Sequence, residues 1–391
     1  MNSEQHPEKR QHVDASSHVR PRPLTMGVEE EFMLVAPDNG APVSRATAVV
    51  AHATSAGQTA GAFHSELLAT MVESTTGICT DLAQVRRQLV DARRTLAQAA
   101  AQEGAQLRAA GIPAHSAPPR PVTNTAHYHR MQALYGLLVT ETETCGCHVH
   151  IGSLDMHTAV AVVNYLRPWL PTLLTLSADS ASDNALATGY ASWRTIALSR
   201  WPTVQIPPHF TSADHYHDML ALLQRSEVLP PGSNAYWLAR PSLHVPTVEI
   251  RVADVATIDH AVLQAGLSRA LVHAALQAHS DGRPAPTFSD HQAAAALWMA
   301  ARYGLAGPAL HPNTGQELPA TILARELLTQ LRPALHTTGD FDEVEELITH
   351  SLAPPQRAPR THPAHNDDTL DQDPSTAVNP GLRPDPPPLR R

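Results

Sequence analysis

Six side chains able to hold cations or anions stand at alternate positions in three short segments. The segments are Gly27-Val28-Glu29-Glu30-Glu31-Phe32, Cys147-His148-Val149-His150-Ile151-Gly152 and Val248-Glu249-Ile250-Arg251-Val252. In a strand, successive side chains point to opposite faces. Glu29 and Glu31 then share one face, as do His148 and His150, and Glu249 and Arg251. The opposite faces carry Val28 and Phe32, Val149 and Ile151, and Val248, Ile250 and Val252. Glu30 falls on the apolar side and breaks the pattern there. A sheet of such strands buries one face under helices and lines the other with carboxylates, imidazoles and a guanidinium, a surface suited to hard cations and phosphates.

Glutamate is depleted in strands, and two carboxylates spaced ~7 Å apart on one face repel unless a cation lies between them. Glu29 and Glu31 are therefore candidate metal ligands, although a glutamate triplet is also common on a solvated edge. Glu73 is a further candidate ligand from a second strand. Glu66, seven residues earlier, cannot share a face with it in a regular strand; it approaches from the preceding turn and is read as a substrate contact. His148-Val149-His150 has the H-x-H spacing of metal-binding hydrolases, but with 24 histidines in the chain such pairs also arise by chance. A zinc-dependent hydrolase using His148, His150 and Glu249 is thus an alternative. Arg194, in Tyr190-Ala191-Ser192-Trp193-Arg194, and Arg240, after Trp237, are candidates to anchor an anionic substrate.

The chain has 391 residues, a net charge of −9 and 42% hydrophobic residues, which supports a real core and excludes a basic nucleic-acid footprint. Lys9 is its only lysine, so arginine or metal ions must neutralise any bound phosphate. There is no G-x-x-x-x-G-K-[ST], no G-x-G-x-x-G after a strand and no G-x-S-x-G. Three cysteines, Cys79, Cys145 and Cys147, are too few for a disulfide framework and fit a reducing cytoplasm. The first 26 residues lack the apolar run of a secretory signal, and no segment reads as a membrane span. Residues 1–24 and the Pro-rich stretch 353–391 read as disordered tails around one catalytic domain, 25–352.

Between the tails, strands are expected at 28–35, 68–76, 106–110, 147–152 and 247–254. Helices are expected at 81–103, 127–139, 155–177 with a kink at Pro168 and Pro171, 211–225, 256–279, 291–304, 317–331 and 341–351. On the 81–103 helix, Leu82, Val85, Leu89 and Leu96 form the apolar stripe, and Arg86, Arg87, Arg93 and Arg94 face water. Strands mixed with helices, without regular βαβ spacing, indicate an α+β fold with an antiparallel sheet.

Seven motifs occur in order: G-V-E-E-E-F, E-L-L-x-x-x-V-E-x-x-T, T-C-G-C-H-V-H-I-G, L-R-P-W-L-P, T-G-Y-A-S-W-R, R-P-S-x-x-x-P-T-V-E-I-R and A-A-R-Y-G-L. Together they resemble the carboxylate–amine ligase family, in its glutamate–cysteine ligase type 2 group, over residues 25–330. The resemblance implies a glutamine-synthetase-like fold: a curved, mainly antiparallel sheet with helices packed on one face and an open funnel on the other. It implies ATP, Mg²⁺ and small-molecule substrates, and by analogy a homodimer. The implied reaction phosphorylates the γ-carboxylate of glutamate, and cysteine then attacks the γ-glutamyl phosphate to give γ-glutamylcysteine. Glu29, Glu31, Glu73, His148 and Glu249 would hold metal. Arg251, with His150 beside it, would act on the transferring phosphoryl group, and Arg194 with Tyr190 would hold a substrate carboxylate. The family pattern is altered at Ile112–His115, Asp179–Asn184 and Ala187. Those changes leave open a ligase for a different amine or acid, or a non-catalytic descendant that only binds a ligand.

Overall fold

The alternating segments become neighbouring strands of one antiparallel sheet. The computed structural model describes residues 23–57, 60–115 and 120–353. The expected tails, 1–24 and 353–391, lie almost wholly outside these residues. Strand β1 (Met26–Val35) leads into helix α1 (Ala46–Ser55) and the hairpin β2 (Ala62–Ser65)–β3 (Met71–Thr75). Next come α2 (Leu82–Gln102), β4 (Gln106–Arg108), α3 (Ala126–Tyr135), α4 (Leu137–Glu141) and β5 (Gly146–Gly152). Helix α5 (Met156–Leu166), a 3₁₀ turn (Arg167–Trp169), α6 (Leu170–Ser177), the short hairpin β6 (Ser182–Asp183)–β7 (Leu186–Ala187), α7 (Trp193–Leu198) and α8 (Ala213–Arg225) follow. Strands β8 (Ala239–Pro241) and β9 (Thr247–Asp254) complete the main sheet. Then come α9 (Ile258–Ser280), α10 (Asp290–Tyr303), the pair β10 (Pro308–Leu310)–β11 (Glu317–Pro319), α11 (Ala320–Thr338) and α12 (Phe341–Leu352).

The main sheet has the order β2-β3-β1-β5-β9-β8, with β4 also paired to β1, and every pairing is antiparallel. Its apolar side chains, among them Val28, Phe32, Val149, Ile151, Val248 and Ile250, are fully buried. Helices α5, α6 and α9 pack against β5, β8 and β9 on that side. Most of α9 is enclosed, with Ala261–Val272 buried without a break, as expected of a helix apolar on nearly every side.

Local chemistry sets the element ends. Asp81, Asp155 and Thr257 cap α2, α5 and α9, each side chain accepting from a backbone N–H three residues on. Pro168 and Pro171 divide the expected long helix into α5, the 3₁₀ turn and α6. Other boundaries differ from the sequence reading. Gly136, at φ +58°, splits the expected 127–139 helix into α3 and α4. Residues 317–319 are a strand, because Pro319 stands at the start of α11, and that helix runs on to Thr338. The β3 strand starts only at Met71, after a turn closed by Met71 N–H on the Leu68 carbonyl at 2.9 Å. Its partner β2 has no alternation to reveal it, since only Phe63 of its four residues is buried.

Arg93 also departs from expectation. It turns away from solvent to hold Glu30, the residue that broke the β1 alternation. Its Nε and Nη2 donate to the Glu30 carboxylate at 2.9 and 2.6 Å, and Nη2 also reaches the Ala256 carbonyl at 2.9 Å. Glu30 is completely buried, so the pair joins β1 to α2 beneath the sheet. Removing one partner of a buried pair leaves an uncompensated charge. Arg93→Ala is therefore expected to lower the unfolding free energy by about 3–5 kcal/mol. Arg94→Ala, at a 60% exposed side chain, should stay within about 0.5 kcal/mol. Urea denaturation of the two variants checks the contrast.

Candidate active site

Strand register decides which charged groups meet. Glu31 lies directly opposite Glu73, Glu29 opposite His148, His150 opposite Glu249, and Glu249 opposite Arg240. Cross-strand partners project from the same face, so these groups converge on the side of the sheet away from the helices. A bulge between β5 and β9 sets two residues of β9, Arg251 and Val252, against the single residue His148. Arg251 Nη1 lies 3.5 Å from His148 Nδ1. Beyond the bulge Asp254 pairs with Gly146 and so lies on the site face too.

These residues line one cavity of about 730 Å³. Glu29, Glu31, Glu66, Glu73, His148, His150, Arg194, Arg240, Glu249 and Arg251 all border it. Tyr190 does not: it packs edge-on against Trp298 and tilted against Trp193, with the Arg302 guanidinium over its ring. Ser192 caps α7 between the two residues, and that turn sends Tyr190 and Arg194 different ways. Cys145 and Cys147 are buried, burial pushes both thiols well up, and among the described residues neither belongs to a candidate metal cluster.

Two clusters can each bring three ligand atoms within 4.8 Å of one another: Glu29, His148 and Glu249, and Glu31, Glu66 and Glu73. Their electrostatics are opposite. Burial pushes the Glu29 carboxyl up, but hydrogen bonds from His148 and His150 outweigh it and hold the group well below the usual carboxylate range. Burial also opposes ionisation of Glu249, yet Arg251 and Arg240 overcome this and keep it a carboxylate. Arg240 reaches it with Nε at 2.8 Å and Nη2 at 3.2 Å, and Arg251 Nη1 donates to it as well. Burial and Arg251 keep the His148 imidazole toward its neutral form. For His150, burial is outweighed by Glu29 and Glu249, which draw its pKa up.

In the second cluster the counter-charge is weak, Arg251 being the least of the influences on Glu66. Burial and Glu31 push the Glu66 carboxyl up to about 7. Burial, then Glu66, Glu29 and Glu31, push Glu73 well up too. Carboxylates that must share a proton, with open space before them, form a donor set matched to a hard divalent cation. Glu31 itself is fixed by the Gly146 N–H, which donates to it at 2.6 Å.

Arg194 stands beside that contact. Its side chain is 4% exposed, and a Cβ on Gly146 would lie 2.1 Å from its Nη2. Nη1 lies 3.7 Å from the Asp254 carboxylate and 3.5 Å from the Val252 carbonyl, and among the described residues Nε has no hydrogen-bond partner. Asp254 is held in turn by the hydroxyls of Ser180 at 2.7 Å and Ser192 at 2.9 Å. Alternation alone offers no hint of Asp254, because the same stretch without the bulge would turn it toward the helices. The far wall was also missed. Tyr128 and Met131 come from one face of α3, while Trp201 and Tyr236 come singly from loops far along the chain, and edge-on contacts at 5.1 Å (Tyr135 of α3 to Trp201) and 5.8 Å (Trp201–Tyr236) tie these segments together. The altered segments at Ile112–Pro113 and Asp183–Asn184 line a neighbouring cavity, which meets this one at Thr142 and Thr144.

Glu66 keeps its proton in the folded chain at pH values where the unfolded chain has lost it. Without divalent cation, stability should therefore fall as pH rises from about 4.5 toward about 7. Denaturant midpoints at pH 5 and pH 8 in the presence of a chelator check this, and Glu66→Gln should make the fall shallower.

The sequence profile of glutamate–cysteine ligase family 2 matches residues 25–350. Two proteins of Saccharopolyspora erythraea, provisionally named glutamate–cysteine ligase 2-2 and 2-1, are 43% and 44% identical to this chain over 330 and 329 residues. The alignments cover 84% and 83% of this chain, and 84% and 86% of theirs. A solved glutamate–cysteine ligase of Francisella tularensis, in complex with AMP, superposes with a TM-score of 0.56 at 12% identity, over 84% of this chain and 82% of that one. That likeness speaks for the fold alone, and it agrees with the α+β, glutamine-synthetase-like architecture expected from the motifs. With its profile match spanning nearly all of the described residues, the chain belongs to glutamate–cysteine ligase family 2.

Proposed function

We propose that residues 25–352 form an ATP-dependent carboxylate–amine ligase that activates glutamate and joins it to the amino group of cysteine or a related amino acid. The observation that carries this reading is the pairing of two carboxylate clusters with Arg251 in one cavity, in a chain whose described residues include no lysine. Transfer of a phosphoryl group needs positioning and charge neutralisation more than a protein nucleophile. Magnesium ions, when bound, would supply positive charge to offset that of the nucleotide phosphates and the acceptor carboxylate. The donor sets suit them: Glu31, Glu66 and Glu73 on one side, and Glu29, Glu249 and His148 on the other.

The remaining roles follow from position. Arg251, anchored on Glu249 and beside His148, presents positive charge where the γ-phosphoryl group of ATP passes to the γ-carboxylate of glutamate. His150, drawn toward its cationic form by Glu29, adds to that field. Arg240 holds Glu249 in place, and Arg194 binds a substrate carboxylate. The incoming amine then forms the C–N bond as the acyl C–O bond to phosphate breaks, releasing phosphate and a proton. The substrates are small molecules. No described helix is long and apolar enough to cross a membrane, and the three cysteines are free, which supports a cytoplasmic setting.

Purified protein given ATP, Mg²⁺, glutamate and cysteine should release phosphate and form a γ-glutamyl product identifiable by mass. Folded protein showing no acid-dependent ADP formation would overturn the reading. Arg251→Ala should lower kcat by about 10²–10³-fold with little change in glutamate KM, the signature of a group acting on transition-state charge. Gly146→Ala should do the reverse, raising substrate KM by displacing Arg194 while the thermal midpoint moves little. Steady-state kinetics of the two variants separate these outcomes.

A further inference from the structure

A second cavity of about 310 Å³ adjoins the main one, and the two share Arg194, Leu198, Val204 and Leu238 among their lining residues. Its other walls are chiefly apolar, including Ile206, Pro208, Ala293, Leu297 and Trp298. Arg194 therefore stands at the seam between a carboxylate-rich site and an apolar chamber. It is the lining arginine with donor capacity to spare. Arg240 spends all three of its nitrogens on Glu249 and the Ala235 carbonyl, and Arg251 is tied to Glu249. The Arg194 side chain is more than nine-tenths buried, and among the described residues its Nε has no hydrogen-bond partner.

Resting on the ligase reading above, we infer that this chamber receives the side chain of the amine-bearing substrate, an α-amino acid with an apolar side chain larger than that of cysteine. An α-amino acid carries amine, carboxylate and side chain on one carbon. With its carboxylate on Arg194, the amine lies toward Glu31, which Gly146 holds beside the guanidinium, and the side chain enters the chamber. The CH₂SH group of cysteine would leave most of such a space empty. Leucine, methionine or phenylalanine would fill it, and each methylene placed against an apolar wall is worth about 10-fold or more in discrimination. The charged group on this wall besides Arg194 is Asp290, which is paired to Arg167 at 2.9 Å, so with Arg194 engaged by the α-carboxylate no cation is left to receive an acidic side chain.

The test uses the full chain with ATP, Mg²⁺ and glutamate, and compares hydroxylamine, cysteine, leucine, methionine, phenylalanine, aspartate and isopentylamine as acceptors. Hydroxylamine is too small to need the chamber and reports the activated acid directly as a hydroxamate. The expected result is kcat/KM for at least one of leucine, methionine and phenylalanine 10-fold or more above cysteine, with aspartate inactive. Isopentylamine, which is leucine without its carboxylate, should fall at least 10-fold below leucine. Ala294→Trp, at an exposed position lining the chamber, should lower the ratio of leucine to hydroxylamine turnover by at least 10-fold. Hydroxamate formation with cysteine outrunning all three larger acceptors, or an unchanged ratio in Ala294→Trp, would refute the chamber assignment while leaving the ligase reading intact. Absence of hydroxamate would remove both.

Discussion

Mutual repulsion among carboxylates gathered on one face of a sheet is the constraint around which this protein is arranged. Glu29, Glu31, Glu66, Glu73 and Glu249 face a single cavity, and no fold collects such a set without answering its charge. The answer is uneven. At Glu249 and Glu29 it comes from arginine and imidazole groups already in the chain, so those carboxylates stay ionised. At Glu66 and Glu73 it is weak, and both favour the protonated state. A site divided in this way is strongly held together at one end and hungry for cations at the other, an arrangement suited to a nucleotide that arrives with its own metal.

The buried layer serves the same end. Arg93 reaches under β1 to neutralise Glu30, the one acid that alternation turns toward the helices. Three consecutive glutamates thus meet three different partners: on the site face Glu29 meets imidazoles and Glu31 a backbone amide, while Glu30, turned the other way, meets a guanidinium beneath the sheet. Helix α9 and its neighbours pack on the apolar face and keep it turned away from the site.

Period-two alternation made the site face legible. It sets Glu29 with Glu31, His148 with His150 and Glu249 with Arg251 on shared faces, which the strand register then brings together, and the ordered motifs point to the fold. What stayed hidden is what alternation does not encode. Glu66 reaches the cluster through a turn whose shape depends on a backbone bond from Met71 to Leu68. Tyr190 sits four residues before Arg194, but a capped helix start intervenes, and nearness in sequence misled. The reading of Arg93 as solvent-facing failed because helical periodicity tells which stripe is apolar, not which charged residue has a buried acid within reach. The aromatic wall of Tyr128, Trp201 and Tyr236 leaves no pattern at all, since each residue is contributed singly.

The irregularity between β5 and β9 has a broader consequence. Because one strand carries a surplus residue there, Glu249 and Asp254 serve the same side although their separation is an odd number of positions. Chain length between them is thus under tighter control than residue identity. Lengthening that stretch by a single position, with one residue still bulged, would exile Asp254 among the helices and strip Arg194 of its acidic neighbour, whereas losing the surplus residue would leave a regular strand with Asp254 still on the site side. Insertions, far more than point substitutions, are the changes this part of the sheet has least room to absorb.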